Sequence, residues 1–172
     1  MNLQSSDFAI FGLPERFALE RADLDERWKA LQAQAHPDRF ASADPATQRQ
    51  SMQWSVRINE AYQRLKDPVR RAAYLCELHG VPIAAESNTA MPADFLMQQM
   101  AWREALEEAA DAAAVEDLAD EVAAARRERL QALAETADTA QDFSALAQQV
   151  RALMFVERFA RDVENRLDQL GQ

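Results

Sequence analysis

The 172 residues include only three glycines, six prolines, two histidines and one cysteine. So few glycines leave little for the turns of a sandwich or barrel. The lone Cys76 excludes an internal disulfide and any multi-thiolate metal or cluster site, and it fits a reducing compartment. No histidine follows His79, so the carboxylates Glu104, Glu107, Glu108 and Asp111 lack the Glu-x-x-His partners of a carboxylate-bridged metal centre and read as a solvated face. Gly12, Gly80 and Gly171 are too scattered for a phosphate loop, and the sequence does not offer a nucleophile, a base and an orienting group together. The apolar stretch at residues 8–13 is shorter than a signal-peptide core, and no run approaches a membrane span. A cytoplasmic, non-enzymatic chain without metal or cofactor is expected.

Apolar residues make up 48% of the chain, and Ala, Leu, Glu, Gln and Arg dominate, all of which favour helix. The fold class read from this is all-α. The net charge of −10 is unevenly placed. Residues 1–80 hold eleven Lys/Arg and eleven Asp/Glu, whereas residues 81–172 hold eight and eighteen. Nucleic acid binding depends on clustered cations that neutralise phosphate, so an acidic second half beside a balanced first half argues against it. Protein partners are expected instead.

Leu24, Trp28, Leu31 and Ala35 recur at helical spacing, and the pattern predicts an amphipathic helix over residues 22–35 that Pro37 stops. Asp44-Pro45 reads as an N-cap followed by proline in the first turn. It opens a second long helix with Trp54, Ile58, Ala61, Tyr62 and Leu65 on one stripe. Two antiparallel helices with a polar loop follow, with a small core of Trp28, Leu31, Trp54, Ile58 and Tyr62. Asp67-Pro68 opens a further helix, for which Gly80 is the C-terminal cap. Residues 81–91 have no periodicity and read as a linker between a domain at 1–80 and a domain at 92–172. In the second domain three helices are expected, at about 92–111, 114–136 and 140–169.

His36-Pro37-Asp38 occupies the loop of the antiparallel pair and is followed by Arg39-Phe40. Taken alone, the tripeptide reads equally as a helix stop with an Asx turn. Its context is more specific. Residues 58–74, INEAYQRLKDPVRRAAY, resemble the third helix and following turn of J-domains, and Phe11-Gly12-Leu13 resembles the end of their first helix. Beyond them Tyr74-Leu75, Leu78-His79-Gly80, the run FLMQQM at residues 95–100, Arg103-Glu104 and Leu106 resemble the HscB family. The resemblance implies an N-terminal J-domain helical hairpin plus a C-terminal three-helix bundle that binds a scaffold protein. It further implies a co-chaperone that delivers an iron–sulfur cluster scaffold, IscU-like, to a dedicated DnaK-class chaperone, HscA-like, and stimulates its ATPase. His36, Pro37 and Asp38, with Arg27, Lys29 and Arg39, are the expected chaperone contacts. The chain departs from the family pattern in two ways: its basic surface is thin, extended only by Arg57, Arg64 and Lys66, and Ala35 stands where an aromatic residue is common.

Helical wheels give a second, independent reading of the C-terminal half. Phe95, Trp102, Leu106 and Ala109 share one face of the first helix, while Leu96 and Met100 lie roughly 100–140° away, flanked by Arg103, Glu104 and Glu107. On the last helix Leu146, Leu153, Val156, Ala160, Val163 and Leu167 define a buried side, and Phe155 projects about 130° from its centre among Arg151, Arg158 and Asp162. Leu96, Met100 and Phe155 are therefore expected to form an exposed apolar patch, and with Arg103, Glu104, Glu107 and Glu108 the scaffold-binding surface. The wheels alone leave open that Leu96 and Met100 merely widen the core. Two other functional readings stay open from sequence: a J-domain protein with another client, and a helical adaptor without chaperone stimulation. The expected partners are the chaperone and the scaffold, with no nucleic acid and no membrane, and a monomer is compatible with everything read so far.

Overall fold

A computed structural model describes residues 1–171, and among them the secondary structure is entirely helical. The chain divides into two compact units, residues 1–75 and the remainder. The division falls inside a helix, earlier than the expected boundary at residue 80.

In the first unit α1 spans Asp7–Ile10, α2 Arg21–Ala35 and α3 Pro45–Lys66, while α4, Pro68–Leu78, begins there. The helix starts follow from local chemistry. The Asp44 carboxylate accepts the Thr47 N–H at 2.9 Å ahead of Pro45, and Asp67 accepts the Val69 N–H at 2.9 Å ahead of α4. α2 and α3 pair through Leu24, Ile58, Ala61 and Leu65, all buried. Trp28 stacks on Tyr62 with ring centroids 4.5 Å apart, and the Tyr62 hydroxyl donates to Asp25 at 2.6 Å. Trp28, Leu31 and Trp54 are only half-buried. Phe8, Ile10, Phe11, Leu24, Ile58 and Leu75 are the deeply buried residues instead, and Phe8 of α1 stacks on Tyr74 of α4.

Several cations expected at the surface are internal braces. Asp7 is fully buried, a costly place for a carboxylate unless it is paired and hydrogen-bonded. Arg57 lies 2.9 Å and Arg64 2.6 Å from it, and the Tyr74 hydroxyl accepts the Asp7 N–H. Arg57 also donates to the Leu3 and Ser5 carbonyls, which fastens the N-terminal residues to α3. Buried Arg71 donates to the carbonyls of Phe17 and Leu65 and lies over the Phe17 ring, fixing the segment between α1 and α2.

The second unit contains α5 (Ala93–Glu108), α6 (Ala112–Ala134) and α7 (Phe143–Leu170). Asp111 and Asp142 cap α6 and α7 by accepting the Ala114 and Ala145 N–H groups. A π-helical turn, Glu135–Thr139, and Gln141 in the left-handed region (φ 52°) delay α7 to residue 143. An aromatic ladder fills the space between α5 and α7. Phe95 meets Trp102 and Phe155 edge-on, Trp102 stacks on Phe159, and Phe155 stacks on Phe159. Val115, Leu118 and Val122 of α6 complete the core with Ala152, Val156 and Val163 of α7.

Residues 81–91 are not a free linker. Arg151, expected among exposed residues, is buried on α7 and donates to the carbonyls of Ile83, Ala90 and Pro82 at 3.0, 3.0 and 3.5 Å. A desolvated guanidinium needs such acceptors, and backbone carbonyls of an irregular segment supply them. Ile83 is buried as well. Cys76 is fully buried with its thiol toward the Phe143 carbonyl, and burial pushes its pKa up to about 11, so it is protonated and unreactive at neutral pH.

Candidate functional site

The His36-Pro37-Asp38 segment is a built turn and not a slack loop. α2 ends at Ala35, whose carbonyl accepts the Ser51 hydroxyl of α3 at 2.6 Å. His36 then leaves helical geometry (ψ 133°), as the residue before a proline must. Pro37–Phe40 forms a 3-10 turn in which the Arg39 N–H bonds to the His36 carbonyl. His36 Nδ1 accepts the Asp38 N–H at 3.2 Å. Farther along, Gln48 donates to the Ala41 carbonyl and Gln32 to that of Ser55, tying both sides of the turn to α3. The result is an acceptor held out on a rigid mount: the Asp38 side chain is 94% exposed.

The expected neighbours of the turn differ in what is left of them for a partner. Lys29 and Arg39 are exposed. The Arg27 guanidinium donates to Asp23 and to the carbonyls of Phe11 and Gly12, at 2.8 Å for Phe11. Gly12 has φ +64°, and a Cβ there would come within 3.4 Å of this guanidinium, so the Phe11-Gly12-Leu13 turn and Arg27 fit as one piece. Arg27 is a brace first and a surface cation second.

On α5 Leu96 is 47%, Met97 76% and Met100 72% exposed, whereas Phe95 and Trp102 on the opposite side are buried. Arg103, Glu104, Glu107 and Glu108 are all exposed beside this ridge. Met97 joins the ridge beyond the wheel-based expectation; its angular position, about 150° from the Phe95–Trp102 stripe like that of Met100, is the signal that marks it. Phe155 does not join the ridge. It is 7% exposed and belongs to the core cluster, because α7 is enclosed by α5 as well as α6 and so buries a much wider arc than one stripe. The Arg103 guanidinium covers the Phe155 ring at 5.3 Å. A groove lined by Arg103, Leu106, Glu107, Arg158, Phe159 and Asp162 runs past the ring edge.

Among the described residues no group of three or more His, Cys, Asp or Glu side chains is placed to hold a metal ion, and no helix is long and apolar enough to cross a membrane.

Residues 91–164 match the family model described as the HSCB C-terminal oligomerisation domain. A co-chaperone protein HscB homolog of Bordetella petrii is 52% identical over 157 residues, which cover 91% of this chain and 92% of that one. Chaperone HscB from Vibrio cholerae is similar in structure, with a TM-score of 0.79 and 37% identity over 96% of this chain and 99% of the other. The crystal structure of human co-chaperone protein HscB gives a TM-score of 0.86 and 25% identity, covering 96% of this chain and 84% of that one. With the J-domain turn in the first unit and the helical bundle in the second, the chain belongs to the HscB family, co-chaperones of iron–sulfur cluster assembly that stimulate the ATPase of a partner chaperone.

Proposed function

We propose that this protein brings an IscU-like iron–sulfur scaffold to an HscA-like, DnaK-class chaperone, using one surface from each unit. The His36-Pro37-Asp38 turn, with Lys29, Arg39 and the exposed part of Arg27, engages the chaperone. Leu96, Met97 and Met100, ringed by Arg103, Glu104, Glu107 and Glu108, engage the scaffold. Function thus divides between residues 1–80 and residues 92–172. The observation that carries the reading is the presentation of Asp38: an almost fully exposed carboxylate on a turn whose backbone is fixed by Pro37, Ser51 and the His36 ring. A preorganised charged acceptor forms strong hydrogen bonds at little entropic cost. Stimulation then arises from preferential binding to one conformational state of the chaperone, and the co-chaperone performs no chemistry of its own. Phe155 supports the second surface from below, as part of the floor beneath Arg103, and is not its central anchor. The site of action is the cytoplasm.

The test is steady-state ATPase of the chaperone with this protein and with or without the scaffold. Stimulation that rises further when the scaffold is added supports the proposal, and absence of any stimulation with both present refutes it.

A further inference from the structure

The α2–α3 hairpin is incompletely filled at the end that carries the turn. A groove of about 250 Å3 lies between the helices, walled by Leu31, Ala35, Phe40, Trp54 and Ile58. Protein interiors seldom leave voids larger than a water molecule, and an apolar cavity of about 150 Å3 is enough to take up benzene. The groove therefore has room for one large aliphatic or aromatic side chain. It does not close by drawing the helices together, because the Ser51–Ala35 and Gln32–Ser55 hydrogen bonds set their separation. Its polar lining is neutral, from Gln34, Thr47 and Gln50, with Ser51 already donating to Ala35. Met1 and Ile10 add apolar side chains to the lining and no charged side chain belongs to it, so its side chains do not compensate a buried charge.

The groove is continuous with the chaperone-binding turn. Ala35 immediately precedes His36 and Phe40 ends the 3-10 segment, and both are walls of the groove. A partner that grips Asp38 brings its own surface across the mouth. We infer that the chaperone seats one uncharged apolar side chain in this groove as a docking anchor beside Asp38. The inference rests on the reading that the turn engages the chaperone. An anchor of this kind adds affinity and leaves the trigger, Asp38, untouched. Filling the groove from within raises the concentration needed for stimulation without lowering its ceiling.

The experiment titrates full-length Ala35→Phe, Ala35→Leu and Gln50→Glu against the DnaK-class chaperone of the same organism, reading ATPase rate, with Asp38→Asn alongside. Gln50 is exposed, so its substitution puts a charge on the rim without disturbing packing and keeps the test valid even if a filled groove unfolds the hairpin. The expected result is a half-saturating concentration raised roughly tenfold by Ala35→Phe and several-fold by the other two, with the plateau rate retained. If all three variants saturate within twofold of the parent while Asp38→Asn is inactive, the groove is only an internal void and the inference fails. If Asp38→Asn stimulates like the parent protein, the turn does not bind the chaperone, and the underlying reading fails whatever the groove variants do.

Discussion

Asp38, Phe155, Asp25 and Asp44 each carry a distinct expectation at the scale of single residues. Asp38→Asn keeps the shape of the side chain but removes a charged acceptor, so most stimulation of the chaperone's ATPase is lost, with an unchanged circular dichroism spectrum. Stimulation within twofold of the parent at sub-saturating concentration contradicts that role. Phe155→Ala removes a buried ring in contact with Phe95 and Phe159. It is expected to cost about 3–5 kcal/mol of stability, through lost burial and the cavity left behind, and to lower the melting temperature by roughly 6–20 °C. A melting temperature within 2 °C of the parent returns Phe155 to the surface. The Tyr62 hydroxyl, aided by Arg21, holds the Asp25 carboxyl below its ordinary value, and Thr47 does the same for Asp44. Both carboxyls have folded pKa values under the free value of 3.8. Their contribution to stability is therefore present above that pH and is lost as pH falls through the depressed values. NMR titration of the side-chain carboxyls checks this: midpoints at or above 3.8 for both contradict the capping and hydroxyl contacts.

Among the elements, α5 carries the clearest division between buried and exposed faces. Replacing Leu96, Met97 and Met100 together by Ser is expected to weaken scaffold binding at least a hundredfold by calorimetry while moving the melting temperature by no more than about 2 °C, since all three are exposed. A large thermal shift with unchanged affinity places them in the core instead. Asp44-Pro45, Asp67-Pro68 and Gly80 act locally, through caps, a fixed proline φ and a left-handed φ of 76° at Gly80, so their reading does not depend on tertiary context. One-faced helices such as α5 are also legible from their wheels. α7 is not, because a helix enclosed on two sides buries Phe155 and Arg151 as well as its main stripe, and a wheel does not show how many neighbours a helix has. The anchoring of residues 81–91 is hidden from the sequence for a related reason. Their anchoring is carried by backbone carbonyls, which leave no mark in side-chain periodicity.

At the scale of the whole molecule, charge separates the two units. Residues 1–75 hold eleven Lys/Arg and ten Asp/Glu, and residues 76–172 hold eight and nineteen. Arg27, Arg57, Arg64 and Arg71, four of the first unit's eleven cations, brace its own architecture, so under the proposed function chaperone recognition rests on the geometry of the turn more than on a broad positive field. Rim charges mainly tune association rates, whereas a rigid, charge-assisted contact determines whether the correct state of the chaperone is held. The most direct measurement is the chaperone's ATPase rate in the presence of the full-length protein, with and without the cluster scaffold, for the parent chain and Asp38→Asn. The prediction is stimulation by the parent that increases when the scaffold is added, and its near loss with Asp38→Asn. A chaperone whose rate is unchanged by the parent protein, even with the scaffold present, contradicts the proposal at its root.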